Sequence, residues 1–257
     1  MSLFTVIPVG GEAELGEGDA ARAVLWMPVV GLLLGLAGAG VMIGVDTGGS
    51  GGPRRLLGAA LAVGLIALLT GGLHLDGLAD TADGLGSRRA PADALAIMRR
   101  SDAGPMGVAT LVLVLLIQVT ALAAVSRVSL AAGSLVLAEV TGRVAVVIAT
   151  GSPAARPGGF GALVAGRTTA AERALTVGAL ACAAAAAGLT AGELAAGAAA
   201  GQSLAVRGLA AALAGLLAGR LLQRTAHRRL GGLTGDVFGA ILQVSAAAVL
   251  VTAALAA

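Results

Sequence analysis

The chain of 257 residues is 57% hydrophobic, 12% charged and 2% aromatic, with a mean hydropathy of +0.94, which excludes an ordinary water-soluble domain. Its formal charge of +3 is carried wholly by arginine, and with no tyrosine, one tryptophan (Trp26) and three phenylalanines it lacks the stacking platforms of nucleic-acid binders, so no nucleic-acid partner is expected. The single cysteine, Cys182, excludes internal disulfides and cysteine-based metal sites; within an alanine-rich run it is expected to be a small core residue.

The N-terminal segment carries Pro8 and then Glu12, Glu14, Glu17 and Asp19 instead of a basic leader, so it is not read as a cleaved export signal and the first span is expected to be retained. Apolar runs on the roughly 20-residue template of a bilayer crossing fall at 24–45, 56–73, 106–125, 130–150, 173–190, 206–223 and 237–257. They predict an all-α, polytopic membrane bundle of about seven transmembrane helices, with six to eight as the range, forming one catalytic domain over residues 1–257. Glycines at helical spacing, Gly31 with Gly35 and Gly215 with Gly219, are expected to let helix backbones approach closely in lipid.

Seven spans divide the arginines unevenly. One side receives Arg22, Arg88, Arg89, Arg99, Arg100, Arg156, Arg167, Arg173, Arg224, Arg228 and Arg229; the other receives Arg54, Arg55, Arg127 and Arg207. Because short cytoplasmic loops hold the excess of positive charge, the segments 74–105, 151–172 and 224–236 are expected in the cytoplasm, in a cell (inner) membrane protein.

Between the second and third spans lies His74-Leu75-Asp76-Gly77-Leu78-Ala79-Asp80-Thr81-Ala82-Asp83-Gly84. On a helix, Asp76, Asp80 and Asp83 fall within an arc of ~60°. Crowded carboxylates near a membrane are unfavourable, and a divalent cation resolves the conflict. Magnesium takes oxygen ligands, a few carboxylates and substrate phosphates, which points to a phosphorylated substrate; a solvated acidic helix is the plain alternative. His74 stands ~160° around the helix from the aspartates and is either a general base or a hydrogen-bonded interfacial residue.

The next segment, Met98-Arg99-Arg100-Ser101-Asp102-Ala103-Gly104-Pro105-Met106-Gly107, offers Arg99, Arg100 and Ser101 to phosphate oxygens, with Arg88 and Arg89 as further candidates. Such arginines also serve as topology anchors. Asp102 either completes the metal shell or pairs with an arginine. Within the fourth span Glu139 and Arg143 are spaced to pair along one helix face, leaving Arg143 a structural or a substrate-facing role. Finally, Gly231-Gly232-Leu233-Thr234-Gly235-Asp236 opens the last span; Asp236 fits an N-cap, and Thr234 and Asp236 are also placed to hold a phosphate or a second metal contact.

At these residues the chain resembles the cobalamin synthase family, the adenosylcobinamide-GDP ribazoletransferases. The resemblance rests on Thr70 through Gly84, on Ile97 through Gly107, and on Leu233-Thr234-Gly235-Asp236 with Gly239-Ala240, and it is collinear over nearly the whole chain. It implies a Mg²⁺-dependent phosphotransferase that joins adenosylcobinamide-GDP to α-ribazole or its 5′-phosphate and releases GMP. It further implies Mg²⁺ on Asp76, Asp80 and Asp83, phosphates on Arg99 and Arg100, and Asp236 as second ligand or acceptor contact. The family's Met-Arg-Asp-Ser is here Met98-Arg99-Arg100-Ser101 followed by Asp102, a departure that ranks Asp102 below the other aspartates. Asp80-Thr81-Ala82-Asp83-Gly84 also echoes the CDP-alcohol phosphotransferases, without the rest of their motif. A divalent-cation transporter is the alternative outside the enzymes. The lipid bilayer is an expected partner, and oligomers are left open.

Overall fold

The computed structural model describes residues 4–6, 17–47, 52–100, 102–196 and 198–257; Ser101 lies outside the described residues. The elements are α1 (Glu17–Leu25), α2 (Met27–Asp46), α3 (Gly52–Leu69), α4 (Leu73–Gly86), α5 (Pro91–Ile97), α6 (Pro105–Ala124), α7 (Val128–Ala149), α8 (Gly159–Val164), α9 (Ala170–Ala196), α10 (Ala198–Leu230) and α11 (Gly235–Leu255). Proline opens α2, α5 and α6, where its missing N–H removes no helical hydrogen bond.

Among the described residues seven helices are long and apolar enough to cross a membrane: α2, α3, α6, α7, Ala170–Thr190 of α9, Ala200–Leu230 of α10, and α11. The chain is a multi-pass, all-α membrane protein, and each expected span falls on one of these helices. Their alternating direction gathers the segments 70–104, 150–169 and 231–234 at one end of the bundle, with the start of α2. Leucines such as Leu36, Leu57, Leu61, Leu113, Leu116, Leu213 and Leu217 face outward, the surface that lipid tails cover at no cost. Cys182 is exposed on that outer surface rather than in the core, because its helix, α9, packs chiefly on α10 at the bundle's edge.

Two helices, α7 and α11, are buried along most of their length. Helix α2 lies along α7 through the expected glycines: a Cβ at Gly31 would stand 2.6 Å from the Glu139 carbonyl oxygen, and one at Gly35 2.8 Å from the Val136 Cα. Gly215 and Gly219 bring α10 equally close to α11 at Ser245. Inside this packing Arg143 Nη1 meets Glu139 Oε2 at 2.6 Å and also donates to the Glu139 carbonyl at 2.9 Å. The pairing expected from the spacing is therefore present, and the fully buried Arg143 is held by its own helix.

The second span ends earlier than its apolar run suggests, at Leu69 instead of residue 73. Thr70 Oγ1 donates back to the Ile66 carbonyl at 2.9 Å, and Gly71 and Gly72 take φ of 60° and 72°, a left-handed turn open to glycine at little cost. The acidic segment is thus a separate helix, α4, set off from α3 by this turn and packed along α11 and α6.

Candidate active site

Helix α4 is wedged against α11 and α6 by its small residues. A Cβ at Gly77 would come 2.6 Å from the Asp236 carbonyl oxygen, and one at Gly239 3.2 Å from the His74 Cα. This closeness sets Asp236, at the head of α11, beside the α4 carboxylates. Thr234, not Asp236, is the N-cap of α11: its hydroxyl oxygen accepts from the Val237 amide at 3.3 Å and its proton goes to Asp236 Oδ2 at 3.1 Å. The cap needs extended backbone before the first turn, and Thr234 has it, at φ −112° and ψ 174°; Asp236 already lies inside the helix, which frees its carboxylate for the site.

The three aspartates of α4 do different work. Asp83 accepts from the Gly104 amide at 2.7 Å and from the Gly107 amide at 2.8 Å, so both its oxygens hold the start of α6, where orphaned amides favour an anion. Asp76 is exposed at the rim, and Asp80 is half-buried. The Asp80 carboxyl is pushed up to about 6 by burial, and then by the charges of Asp76, Asp236 and Asp83. Such crowding is the electrostatic condition a divalent cation relieves. Among the described residues no group of three or more histidine, cysteine, aspartate or glutamate side chains is placed to hold a metal ion.

His74 is buried, and burial followed by the Arg143 charge lowers its pKa to about 3. At this value it is neutral near pH 7, whereas a general base is best poised near the working pH. Although ~160° from the aspartates on the helix, His74 lines the same cavity as Asp76, because α11 leans on α4 and the cavity wraps around the helix start.

That cavity, of about 270 Å³, lies between the starts of α4 and α11 and the turn before α8, and Asp76, Thr234, Asp236 and Arg156 face it. Arg156 went unselected in the sequence beyond its place in the arginine count, yet its charge acts on Asp236. The signal was Arg156-Pro157-Gly158-Gly159, a basic, glycine-rich run on the same side as the acids. A parallel bridge of Ala154 to Leu233 docks this turn against the α10–α11 loop. Arg99 and Arg100 follow α5 on the exposed face at the same end, Asp102 is exposed beside them, and none of the three lines the cavity. Arg143 does not line it either.

The three segments separated in sequence, 70–84, 97–107 and 233–239, therefore meet at one place, joined by Asp83 to Gly104 and by Gly77 to Asp236. The family model described as cobalamin-5-phosphate synthase matches residues 1–254. The chain belongs to the cobalamin-5-phosphate synthase family. Relatives in this family named adenosylcobinamide-GDP ribazoletransferase are similar to it over nearly their full lengths. The Frankia casuarinae protein is 40% identical over 261 residues, 99% of this chain and 92% of its own. The Bradyrhizobium diazoefficiens protein is 38% identical over 257 residues, 98% and 90%, and the Pseudomonas fluorescens protein 37% over 247 residues, 92% and 89%. No solved structure matches the chain. Against the synthase family pattern, the structure explains why the glycines recur beside the acids: Gly77, Gly104, Gly107 and Gly239 are the points where α4 touches α11 and α6.

Proposed function

We propose that this chain is the membrane transferase that joins adenosylcobinamide-GDP to α-ribazole or α-ribazole 5′-phosphate, releasing GMP and giving adenosylcobalamin or its 5′-phosphate. Supporting this reading are the family membership over residues 1–254 and, above all, the meeting of Asp76, Asp80 and Asp236 at one end of the bundle with Arg156 opposite. An uneven arginine distribution supports a cytoplasm-facing site in the cell membrane.

In the proposed reaction the acceptor hydroxyl oxygen forms a bond to the cobinamide-side phosphorus, and the bond from that phosphorus to the bridging oxygen breaks, leaving with GMP. The hydroxyl proton passes to the carboxylate cluster. Asp80, with one of its neighbours Asp76 and Asp236, would hold Mg²⁺ alongside substrate phosphates, with Asp83 keeping α6 in place and Asp102 more remote. A magnesium ion bound there supplies charge neutralisation on the diphosphate and a better leaving group. Arg99 and Arg100, exposed at the same end, are suited to the phosphate oxygens by charge-assisted hydrogen bonds, and His74 lines the cavity beside Asp76.

The test is a membrane assay for GMP release from the two precursors, with Mg²⁺ withheld and with Asp80→Asn as controls. Product formation that vanishes in both controls supports the reading. Uptake of Mg²⁺ or Co²⁺ into liposomes without any GMP release would instead favour a transporter.

A further inference from the structure

The sequence holds three phenylalanines, Phe4, Phe160 and Phe238, and all three line the 270 Å³ cavity. They form an edge-to-face chain, with ring centroids 5.7 Å apart between Phe4 and Phe160 and 6.2 Å between Phe160 and Phe238. Met27, Leu73 and Val146 complete the apolar wall. In a protein so poor in aromatic residues, this concentration gives the cavity an aromatic wall against which a flat ring can rest. The polar end is formed by Asp76, Thr234, Asp236 and Arg156, and Arg156 Nη1 is buried without a hydrogen-bond partner, a donor left for something entering the cavity.

Size discriminates between the two substrates. The cavity lies near the lower end of the ~300–1,000 Å³ usual for small-molecule sites, room for a nucleoside and far too little for a corrin macrocycle. Asp76, Phe4 and Leu73 also border a second, more open cavity of about 640 Å³ beside the α3–α4 turn, so Asp76 stands between an enclosed compartment and a wide one. Polarity discriminates between the two bases. Guanine would bury several hydrogen-bonding edge groups against phenylalanine, leucine and methionine, each costly without a partner, whereas a benzimidazole presents a nearly apolar bicycle.

Resting on the reading above, we infer that the enclosed cavity is the acceptor seat. The benzimidazole of α-ribazole lies against Phe4, Phe160 and Phe238 with its ribose toward Asp76, Asp236 and Arg156, and Phe160 is a specificity-determining residue. The donor enters from the open side of Asp76.

Purified protein in lipid nanodiscs, with each substrate varied in turn, tests this. Phe160→Ala is expected to raise the KM for α-ribazole about tenfold or more while the KM for adenosylcobinamide-GDP and kcat move by less than about threefold. Phe160→Leu is expected to fall between, and Phe160→Tyr to restore most of the affinity. A rise in the donor KM with the acceptor KM unmoved would put the guanine base here and overturn the inference, as would unchanged acceptor KM in all three variants. Should Phe160→Ala fail to fold, the leucine and tyrosine variants carry the same comparison. Wild-type protein that releases no GMP is a different result: it sinks the reading on which this inference rests.

Discussion

Gly77 of α4 lies directly on Asp236 of α11, so close that a Cβ on Gly77 would stand 2.6 Å from the Asp236 carbonyl oxygen and 2.9 Å from its Cα. Both opposing atoms are backbone and cannot swing aside. Gly77→Ala is therefore expected to push the two helices apart, costing about 1–3 kcal/mol of overpacking and lowering kcat by roughly a hundredfold, the scale of a 1 Å misplacement in a preorganised site. Activity and a detergent-solution melting curve measured together check this; near-normal activity would mean that the α4–α11 contact does not set the site.

On the proposed reading the aspartates of α4 separate into a structural and a chemical group, and magnesium titrations can resolve them. Asp83→Asn is expected to lower thermal stability, because a charged acceptor of two backbone amides is worth about 1.5–3 kcal/mol per bond when well buried and less at this half-buried position. Its magnesium requirement should shift by no more than about threefold, whereas Asp80→Asn should raise the half-saturating Mg²⁺ concentration by about tenfold or more. The opposite ranking would make Asp83 the ligand.

Asp80, with its carboxyl raised to about 6, sets the direction of the pH dependence. Above this value the group is already ionised and a cation binds without displacing its proton; below it, each binding event must expel one. Apparent Mg²⁺ affinity is therefore expected to be flat above pH 7 and to weaken by roughly tenfold per pH unit well below 6. Calorimetric titration at pH 5, 6, 7 and 8 measures this, and affinity independent of pH over that range counts against Asp80 as ligand.

His74 is expected to contribute nothing to the pH profile of activity between 5 and 8, because burial and the Arg143 charge lower its pKa to about 3, below that window. A histidine with a lowered folded pKa stabilises the fold fully above its unfolded value near 6.5, and that contribution is lost as pH falls from there toward 3. His74→Gln should leave the shape of the pH–rate curve unchanged and flatten the acid limb of the stability curve. A lost basic or acidic limb in the rate profile would return His74 to proton transfer.

Removing one partner of the buried pair should harm more than removing both. Glu139→Leu strands the guanidinium of Arg143, which is fully buried with Nε and Nη2 already unpartnered, at an expected cost of about 3–5 kcal/mol, while Glu139→Leu with Arg143→Leu should recover much of it. A double variant as unstable as the worse single one would assign the pair a role in packing shape, not charge.

Much of this protein was legible in its sequence because the relevant signals are local. Each span announces itself by its own apolar run, so seven crossings were countable without knowing their neighbours. The Glu139–Arg143 pair follows from the pitch of one helix, and the start of α6 at Pro105 comes from a residue that restricts the backbone itself. What only the tertiary structure decided are relationships between helices far apart in sequence. Helical pitch placed Asp83 with Asp76 and Asp80; packing of α6 supplies the amides of Gly104 and Gly107 to the Asp83 oxygens, and packing of α11 adds the charge of Asp236 to the cluster. Likewise Phe4, Phe160 and Phe238 carry no spacing that relates them, and they line one cavity because glycines let α4 and α11 approach where longer side chains would hold them apart.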